Sequence, residues 1–147
     1  MAFLNAMNIS ASGLTAQRQR LDVISENISN ANTTRTEGGE PYRRRMVVFE
    51  PRNEGSFQEV FSRTALGGTA KQQGVIVSEI IEDETDFKSV YDPTHPDADE
   101  NGYVMMPNVD LLKETIDGME ASRAYEANVT AFNAIKSMAS KGLEVGK

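Results

Sequence analysis

The chain has 147 residues and a formal net charge of −7, and it contains neither cysteine nor tryptophan. Its length allows one modest domain, or a domain with helical arms, and its acidity argues against nucleic acid or anionic membranes as partners. The absence of cysteine excludes disulfides, thiolate metal sites and cysteine nucleophiles. No stretch is apolar for long enough to span a membrane, and the first residues lack the features of a cleavable signal peptide.

The first predicted element is an amphipathic helix over residues 3–31. Apolar residues recur there at every seventh position, namely Met7, Leu14, Leu21 and Ile28. Ile24 widens this stripe, while arginine, glutamine and acidic residues occupy the other side. A seven-residue repeat keeps one side of a helix facing a partner helix. The run NISNANTT at residues 27–34 is expected to end the helix, because asparagine and threonine side chains compete for backbone hydrogen bonds.

The middle of the chain, residues 34–106, has the character of short β-strands separated by Gly, Pro, Asn and Asp. The strand-like runs are PYRRRMVVFEP, FQEVF, VIVSEII, TDFKSVY and YVMM. We expect VIVSEII and TDFKSVY to form a hairpin around residues 82–84, and LGGTAKQQG to be a connection. Most of the negative charge lies in this part of the chain.

The last predicted element is a helix that begins after Pro107, with Asn108 as its N-cap. Its apolar stripe starts with Leu112, Ile116 and Met119. A second set continues the stripe with a shift in phase, namely Tyr125, Val129, Phe132 and Ile135. The stripe therefore moves round the helix, and we expect its two parts to meet different neighbours.

Together these elements predict an α+β fold in which the terminal helices pair as a coiled coil beside a small β-rich middle. We expect three parts: residues 1–33, residues 34–106 and residues 107–147. Neither helix can bury its stripe on so small a β region, so the stripes of both helices are the predicted assembly interface. Its residues are Met7, Leu14, Leu21, Ile24, Ile28, Leu112, Ile116, Met119, Tyr125, Val129, Phe132 and Ile135.

Two motifs suggest chemistry, but each has a simpler interpretation. Asp97, Asp99 and Asn101 match the first half of an EF-hand calcium loop, yet the twelfth position is Asn108 where a bidentate Glu is needed. His95, the single histidine of the chain, precedes this motif and lacks a second metal-ligating partner nearby in sequence. We expect an acidic turn without a cofactor or metal, and no enzyme signature is present.

The run Arg43-Arg44-Arg45 could bind phosphate, but it stands alone in an acidic chain without interleaved aromatic residues. Side chains alternate across a strand, so we expect this run to bridge acidic patches on two neighbouring molecules.

Several longer stretches resemble the flagellar basal-body rod and hook proteins, and most closely the proximal-rod type. They are ASGL at residues 11–14, NISNANT at 27–33, PYRR at 41–44, NVD at 108–110 and RAYEAN at 123–128. The resemblance covers both ends of the chain and is thin over residues 53–90.

The resemblance implies a structural subunit of the periplasmic rod of the flagellar basal body. Its terminal helices would assemble helically, transmit torque and line the export channel. Its partners would be its own copies, other rod proteins, the base of the rod, the surrounding rings, and the type III apparatus that exports it without a cleavable signal. A distal-rod or hook protein is the nearest alternative, and a calcium-binding periplasmic protein is a remote one.

Overall fold

The computed structural model describes residues 2–52, 61 and 74–145. Within these residues the element order is α1 (Ala2–Ser29), β1 (Arg45–Pro51), β2 (Val75–Glu82), β3 (Lys88–Tyr91), β4 (Tyr103–Met106) and α2 (Leu111–Val145). The prediction of an α+β fold with two long terminal helices and a small antiparallel middle is confirmed. At 1.5 Å per residue, the helices are about 42 and 52 Å long.

The two helices pack against each other in antiparallel directions. Gly13 of α1 lies beside Asn128 of α2, whereas Asn27, further along α1, bonds Glu114 near the start of α2. A Cβ atom added at Gly13 would lie only 3.0–3.1 Å from the side-chain atoms of Asn128. The two backbones therefore approach closely there, and the predicted pairing of the terminal helices is confirmed.

The helix ends follow local hydrogen bonding. After α1, the Asn30 side chain donates to the Glu26 carbonyl at 3.0 Å, which confirms that the NISNANTT run ends the helix. At the start of α2, Asp110 Oδ1 accepts from the Leu112 N–H at 3.0 Å and is the N-cap. The prediction of Asn108 as N-cap is wrong, because its side chain is bonded to other parts of the chain.

The strands form two separate antiparallel pairs. β1 pairs with β2, with a register shift between Val48 and Phe49, and β3 pairs with β4. The predicted hairpin of VIVSEII with TDFKSVY is wrong. Asn108 donates from one amide nitrogen to the Asp83 carbonyl at 2.9 Å and the Thr85 carbonyl at 3.2 Å, and so directs the chain away from β2.

The turn that closes a hairpin lies later in the chain, before β4. The Asp92 N–H donates to the Gly102 carbonyl at 2.9 Å. Gly102 has φ +80°, a conformation that favours glycine. Of the predicted FQEVF strand only Phe61 is described, and it is helical. The LGGTAKQQG connection lies outside the described residues except for Gly74.

The buried core lies at one end of the helix pair. Its apolar members are Ala16, Val23 and Ile24 of α1, Ala121 of α2, and Tyr42, Val104 and Val109 of the intervening segments. The β1–β2 pair packs on α1. None of the described helices combines the length and the hydropathy that crossing a membrane requires.

Candidate assembly interface

The predicted apolar stripe of α1 lies on the flank of the helix pair. Ile24 is buried, Met7, Leu14 and Leu21 are half-buried, and Ile28 is exposed. With 100° per residue, the heptad column of Leu14 and Leu21 lies about 100° round the helix from the side that faces α2. The apolar column is therefore only partly covered within the chain.

The side of α1 that faces α2 combines small and polar residues with the apolar Val23 and Ile24, and Ile24 lies opposite Gly118 of α2. Most of its members follow the same seven-residue spacing in two neighbouring columns: Gly13, Arg20 and Asn27, and Ala16 and Val23. Ala16, Val23 and Asn27 are buried, and Gly13 is the point of close approach. Small residues let two helix backbones approach, so the pairing within the chain uses these columns and Ile24, while Leu14 and Leu21 stay only half-buried.

The two parts of the α2 stripe face different ways. Tyr125, Val129, Phe132 and Ile135 are half-buried and lie on the same side as Ala121 and Asn128, toward α1. The first part, named here the α2 ridge, consists of Leu112, Ile116 and Met119. Their exposures are 72%, 50% and 52%, and they lie on the opposite side of the helix. The shift in phase seen in the sequence is thus a change of helix face.

A buried polar cluster, consisting of Asn27, Arg44, Asn108 and Glu114, joins the helices to the middle of the chain. Glu114 is fully buried, and its carboxylate accepts from Arg44 Nε at 2.5 Å and from Asn27 Nδ2 at 3.0 Å. Asn27 Oδ1 accepts from the Tyr42 hydroxyl at 3.0 Å and from the Arg45 N–H at 2.9 Å. A buried charge is tolerated when it is paired and hydrogen-bonded, as it is here.

The same cluster extends to the end of β2 through Asn108. Its Oδ1 accepts from the Arg44 N–H at 2.7 Å, while its amide donates to the Asp83 carbonyl. The Arg44 guanidinium also lies 3.5 Å from a carboxylate oxygen of Asp83 and 3.3 Å from one of Asp117. Arg44 therefore connects α2 with the β1–β2 pair, and the bond between Asn27 and Glu114 adds α1 to the cluster.

The ionisable groups of this region respond to their surroundings. Burial lowers the pKa of the Arg44 guanidinium, but hydrogen bonding and charge from Glu114 outweigh it, so the pKa is raised overall. Burial, with a contribution from the charge of Glu26, raises the pKa of Tyr42 to about 12. A backbone hydrogen bond from Thr85 lowers the pKa of Asp83. These pKa shifts favour the charged forms of Arg44 and Asp83 and the neutral form of Tyr42.

The neighbouring arginines are also engaged within the chain. Arg45 pairs with Glu26 at 2.8 Å, and the Arg43 guanidinium lies over the Phe87 ring, 4.3 Å from its centroid. The prediction that this run bridges acidic patches on neighbouring molecules does not hold for Arg44, because its side chain is buried among acidic partners of its own chain.

The candidate calcium residues form a turn held by its own hydrogen bonds. Asp99 Oδ1 accepts the backbone N–H groups of Asn101 and Tyr103, and Asp97 accepts from the Thr34 hydroxyl at 2.8 Å. His95 Nδ1 accepts the Asp97 N–H at 3.1 Å. Among the residues that the structure describes, no group of His, Cys, Asp or Glu is arranged to hold a metal ion.

Sequence reasoning missed the polar cluster, although one signal for it exists. Glu114 lies seven residues before Ala121 and fourteen before Asn128, so it occupies the helix column that faces α1. A charged residue in such a column is unusual unless it has a partner. The partner, Arg44, is 70 residues away in sequence and has no local signature.

Comparison with known proteins agrees with the order of these elements. A family described as "Flagella basal body rod protein" matches residues 7–35, and one described as "Flagellar basal body rod FlgEFG protein C-terminal" matches residues 100–145. These ranges cover most of α1 and all of the ridge and the rest of α2.

Relatives match over the whole chain. The flagellar basal-body rod protein FlgC of Bacillus subtilis is 50% identical, with 100% of both chains covered. FlgC of Borreliella burgdorferi is 44% identical over 99% of this chain and 98% of its own. FlgC of Escherichia coli O6:H1 is 43% identical, with 100% of both chains covered. The chain therefore belongs to the FlgC family of flagellar basal-body rod proteins.

Proposed function

We propose that this chain is a structural subunit of the proximal rod of the bacterial flagellar basal body. It assembles helically through its terminal helices, transmits torque, lines the export channel and catalyses no reaction. The FlgC relatives support the rod assignment. The observation that carries the assembly role is the pair of apolar surfaces on α1 and α2 that the chain itself leaves uncovered.

The geometry supports different roles for the different faces of each helix. One side of each helix is used for the pairing within the chain, around Gly13, Ile24 and Ala121. The α2 ridge and the exposed N-terminal residues Phe3, Leu4 and Ile9 remain available. Exposed apolar patches of this kind mark protein interaction sites. In this proposal, residues 1–33 and 107–147 form the assembling core and residues 34–106 the outward extension.

The partners in this proposal are copies of the chain, other rod proteins, the base of the rod and the surrounding rings. The subunit reaches the periplasm through the flagellar type III export apparatus, without a cleavable signal peptide. A distal-rod or hook position is the alternative within the same class. It is less favoured because the chain matches FlgC proteins over their full length.

The test is to locate a tagged copy in purified hook–basal bodies. We expect the tagged chain to co-purify with the rod and to remain after the hook is removed. Its presence only in the hook fraction would favour the alternative, and its absence from both would overturn the proposal.

A variant tests the assembly surface in the same cells. Leu21→Asp places a charge in the partly covered apolar column of α1 and is expected to abolish motility. Gln19→Asp, at an exposed position of the same helix, is the control and is expected to leave the cells motile. Normal motility of the Leu21 variant would remove this column from the interface.

A further inference from the structure

One pair of residues in the loop between β3 and β4 has a chemistry that the assembly role does not use. Asn101 is followed by Gly102, and this is the only Asn-Gly pair in the sequence. The Asn101 side chain is exposed to solvent. An asparagine amide is lost spontaneously when the backbone nitrogen of the next residue attacks it. Glycine in the next position favours this attack, because it has no side chain to obstruct the approach.

The reaction requires water as its only co-reactant. The Gly102 nitrogen forms a bond to Cγ of Asn101, and the side-chain nitrogen leaves as ammonia, taking up the proton that the Gly102 nitrogen gives up. The product is a cyclic imide, a succinimide. Water then opens this ring at either of its carbonyl carbons. One opening gives aspartate, and the other gives isoaspartate, in which the main chain runs through the side-chain carbons and is longer.

In the folded chain the attacking nitrogen is engaged in a hydrogen bond. The Gly102 N–H donates to the Asp99 carbonyl at 3.0 Å, and the Gly102 carbonyl accepts from the Asp92 N–H at 2.9 Å. The proton that must leave is therefore already bound, and the peptide groups on both sides of Gly102 are fixed. Attack on Asn101 requires this turn to open.

Gly102 is also enclosed by its neighbours across the hairpin. A Cβ atom at this position would lie 3.0 Å from Cε2 of Tyr91 and 3.2 Å from Cβ of Pro93. These two side chains restrict the movement of the backbone at Gly102. The amide of Asn101 is thus accessible to water, whereas the nitrogen that would attack it is held by the folded hairpin.

The same turn would not survive the formation of isoaspartate. Asp99 Oδ1 accepts the N–H of Asn101 at 2.9 Å and the N–H of Tyr103 at 2.8 Å. The longer main chain of isoaspartate would lie between these two N–H groups, so a single carboxylate oxygen could not bind both. The pairing of β3 with β4 ends at Tyr103, beside the buried Val104. Damage at Asn101 would therefore loosen the hairpin that protects it.

We propose that Asn101 is a site of spontaneous deamidation that the folded hairpin protects and that reacts when the turn opens. The proposal goes beyond the rod function and does not depend on it. Because ammonia is lost, the change is not reversed when the turn closes again. The deamidated fraction at Asn101 is therefore a record of how much time the hairpin has spent open.

The test compares the purified chain in mildly alkaline buffer with the same chain in guanidinium chloride. Mass spectrometry of the peptide that contains Asn101 measures the deamidated fraction with time. We expect deamidation in the native chain to be slower by at least about tenfold, which corresponds to an opening free energy of about 1.4 kcal/mol or more. Equal rates in the two solutions, or an unreactive Asn101 in the denatured chain, would overturn the proposal.

Two substitutions of neighbouring acidic residues test the protection itself. Asp99→Ala removes the carboxylate that holds the turn, and it should raise the native rate toward that of the denatured chain. Glu100→Ala removes an exposed carboxylate beside Asn101 and is the matched control, which should keep the rate of the wild type. The circular dichroism signal of the helices should be the same in both variants, since the change is local. An unchanged rate in the Asp99 variant, or equal acceleration in both variants, would contradict protection by the turn.

Discussion

The two ends of the helix pair differ in how they are held. At one end, Asn27 and Glu114 lie in a buried polar cluster that also includes segments from the middle of the chain. At the other end, Phe3 and Leu4 of α1 and Leu143 of α2 keep much of their surface exposed. After Ala121, no described residue of α2 is buried.

This difference shows that the buried polar groups and the exposed apolar groups have different roles in the molecule. The polar cluster fixes a single arrangement of helices and strands, because each of its groups needs a specific partner. The exposed apolar ends are less specific, and they suit contacts that other molecules complete. Substitutions should therefore separate the stability of the chain from its assembly.

The largest expected effect on stability comes from Glu114→Ala. It leaves the Arg44 guanidinium buried without its main partner, and breaking such a pair costs about 3–5 kcal/mol. The free energy of unfolding, measured by urea denaturation with circular dichroism at the helix signal, should fall by that amount. Glu120→Ala, on an exposed part of the same helix, should change it by at most about 0.5 kcal/mol. Equal effects of the two variants would show that the polar cluster does not stabilise the end of the helix pair at Asn27 and Glu114.

Tyr42→Phe should have a smaller effect. It removes the hydroxyl that donates to Asn27, which contributes about 1 kcal/mol near neutral pH. The pKa of Tyr42 is raised from 10.0 to about 12 in the folded chain, so folding favours the neutral phenol. This part of the stability is complete below pH 10 and is lost as the pH rises toward about 12.

The pH dependence of the Tyr42 variant supplies the check. Urea denaturation at several pH values measures the free energy of unfolding of both proteins. The wild type should be more stable than Tyr42→Phe below pH 10, and this difference should disappear as the pH rises toward about 12. Tyr91→Phe, at an exposed position, is the control for the loss of a tyrosine hydroxyl that makes no bond to Asn27. If the difference in the free energy of unfolding between wild type and Tyr42→Phe stayed constant across this pH range, it would contradict the raised pKa of Tyr42.

Leu112→Asp should have the smallest effect on stability and a large effect on assembly. Since this side chain is mostly exposed, the free energy of unfolding should change by no more than about 0.5 kcal/mol. Motility should nevertheless be lost, because the substitution places a charge in the α2 ridge. Lys113→Asp, about 100° round the helix, is the matched control and should leave cells motile. A motile Leu112 variant would exclude the ridge from the interface.

The sequence predicted the elements better than their contacts. The period of the apolar residues located both long helices, and the change in phase after Met119 correctly indicated a change of helix face. The apolar column of Leu14 and Leu21 is more prominent in sequence than the column of Gly13 and Asn27. Small and polar residues carry little hydrophobic signal, so the pairing side could not be identified from periodicity.

The polar cluster and the strand order depend on contacts between distant residues. Arg44 and Glu114 are 70 positions apart, and nothing near either residue specifies the other. The predicted hairpin was wrong for a related reason, since Asn108 binds the chain just after β2 and directs it elsewhere. Local turn signals could not reveal a side chain that acts from 25 residues further along.

One contact on α1 has a practical consequence for genetic engineering. The Arg52 N–H donates to the Gly74 carbonyl at 2.9 Å, and the next N–H, that of Val75, donates to the Ser12 hydroxyl at 3.1 Å. Gly74 has φ +112°, and a Cβ there would overlap Ser12, so this position requires glycine. The contact limits what can be engineered here, because any side chain introduced at Gly74 would displace Ser12 of α1.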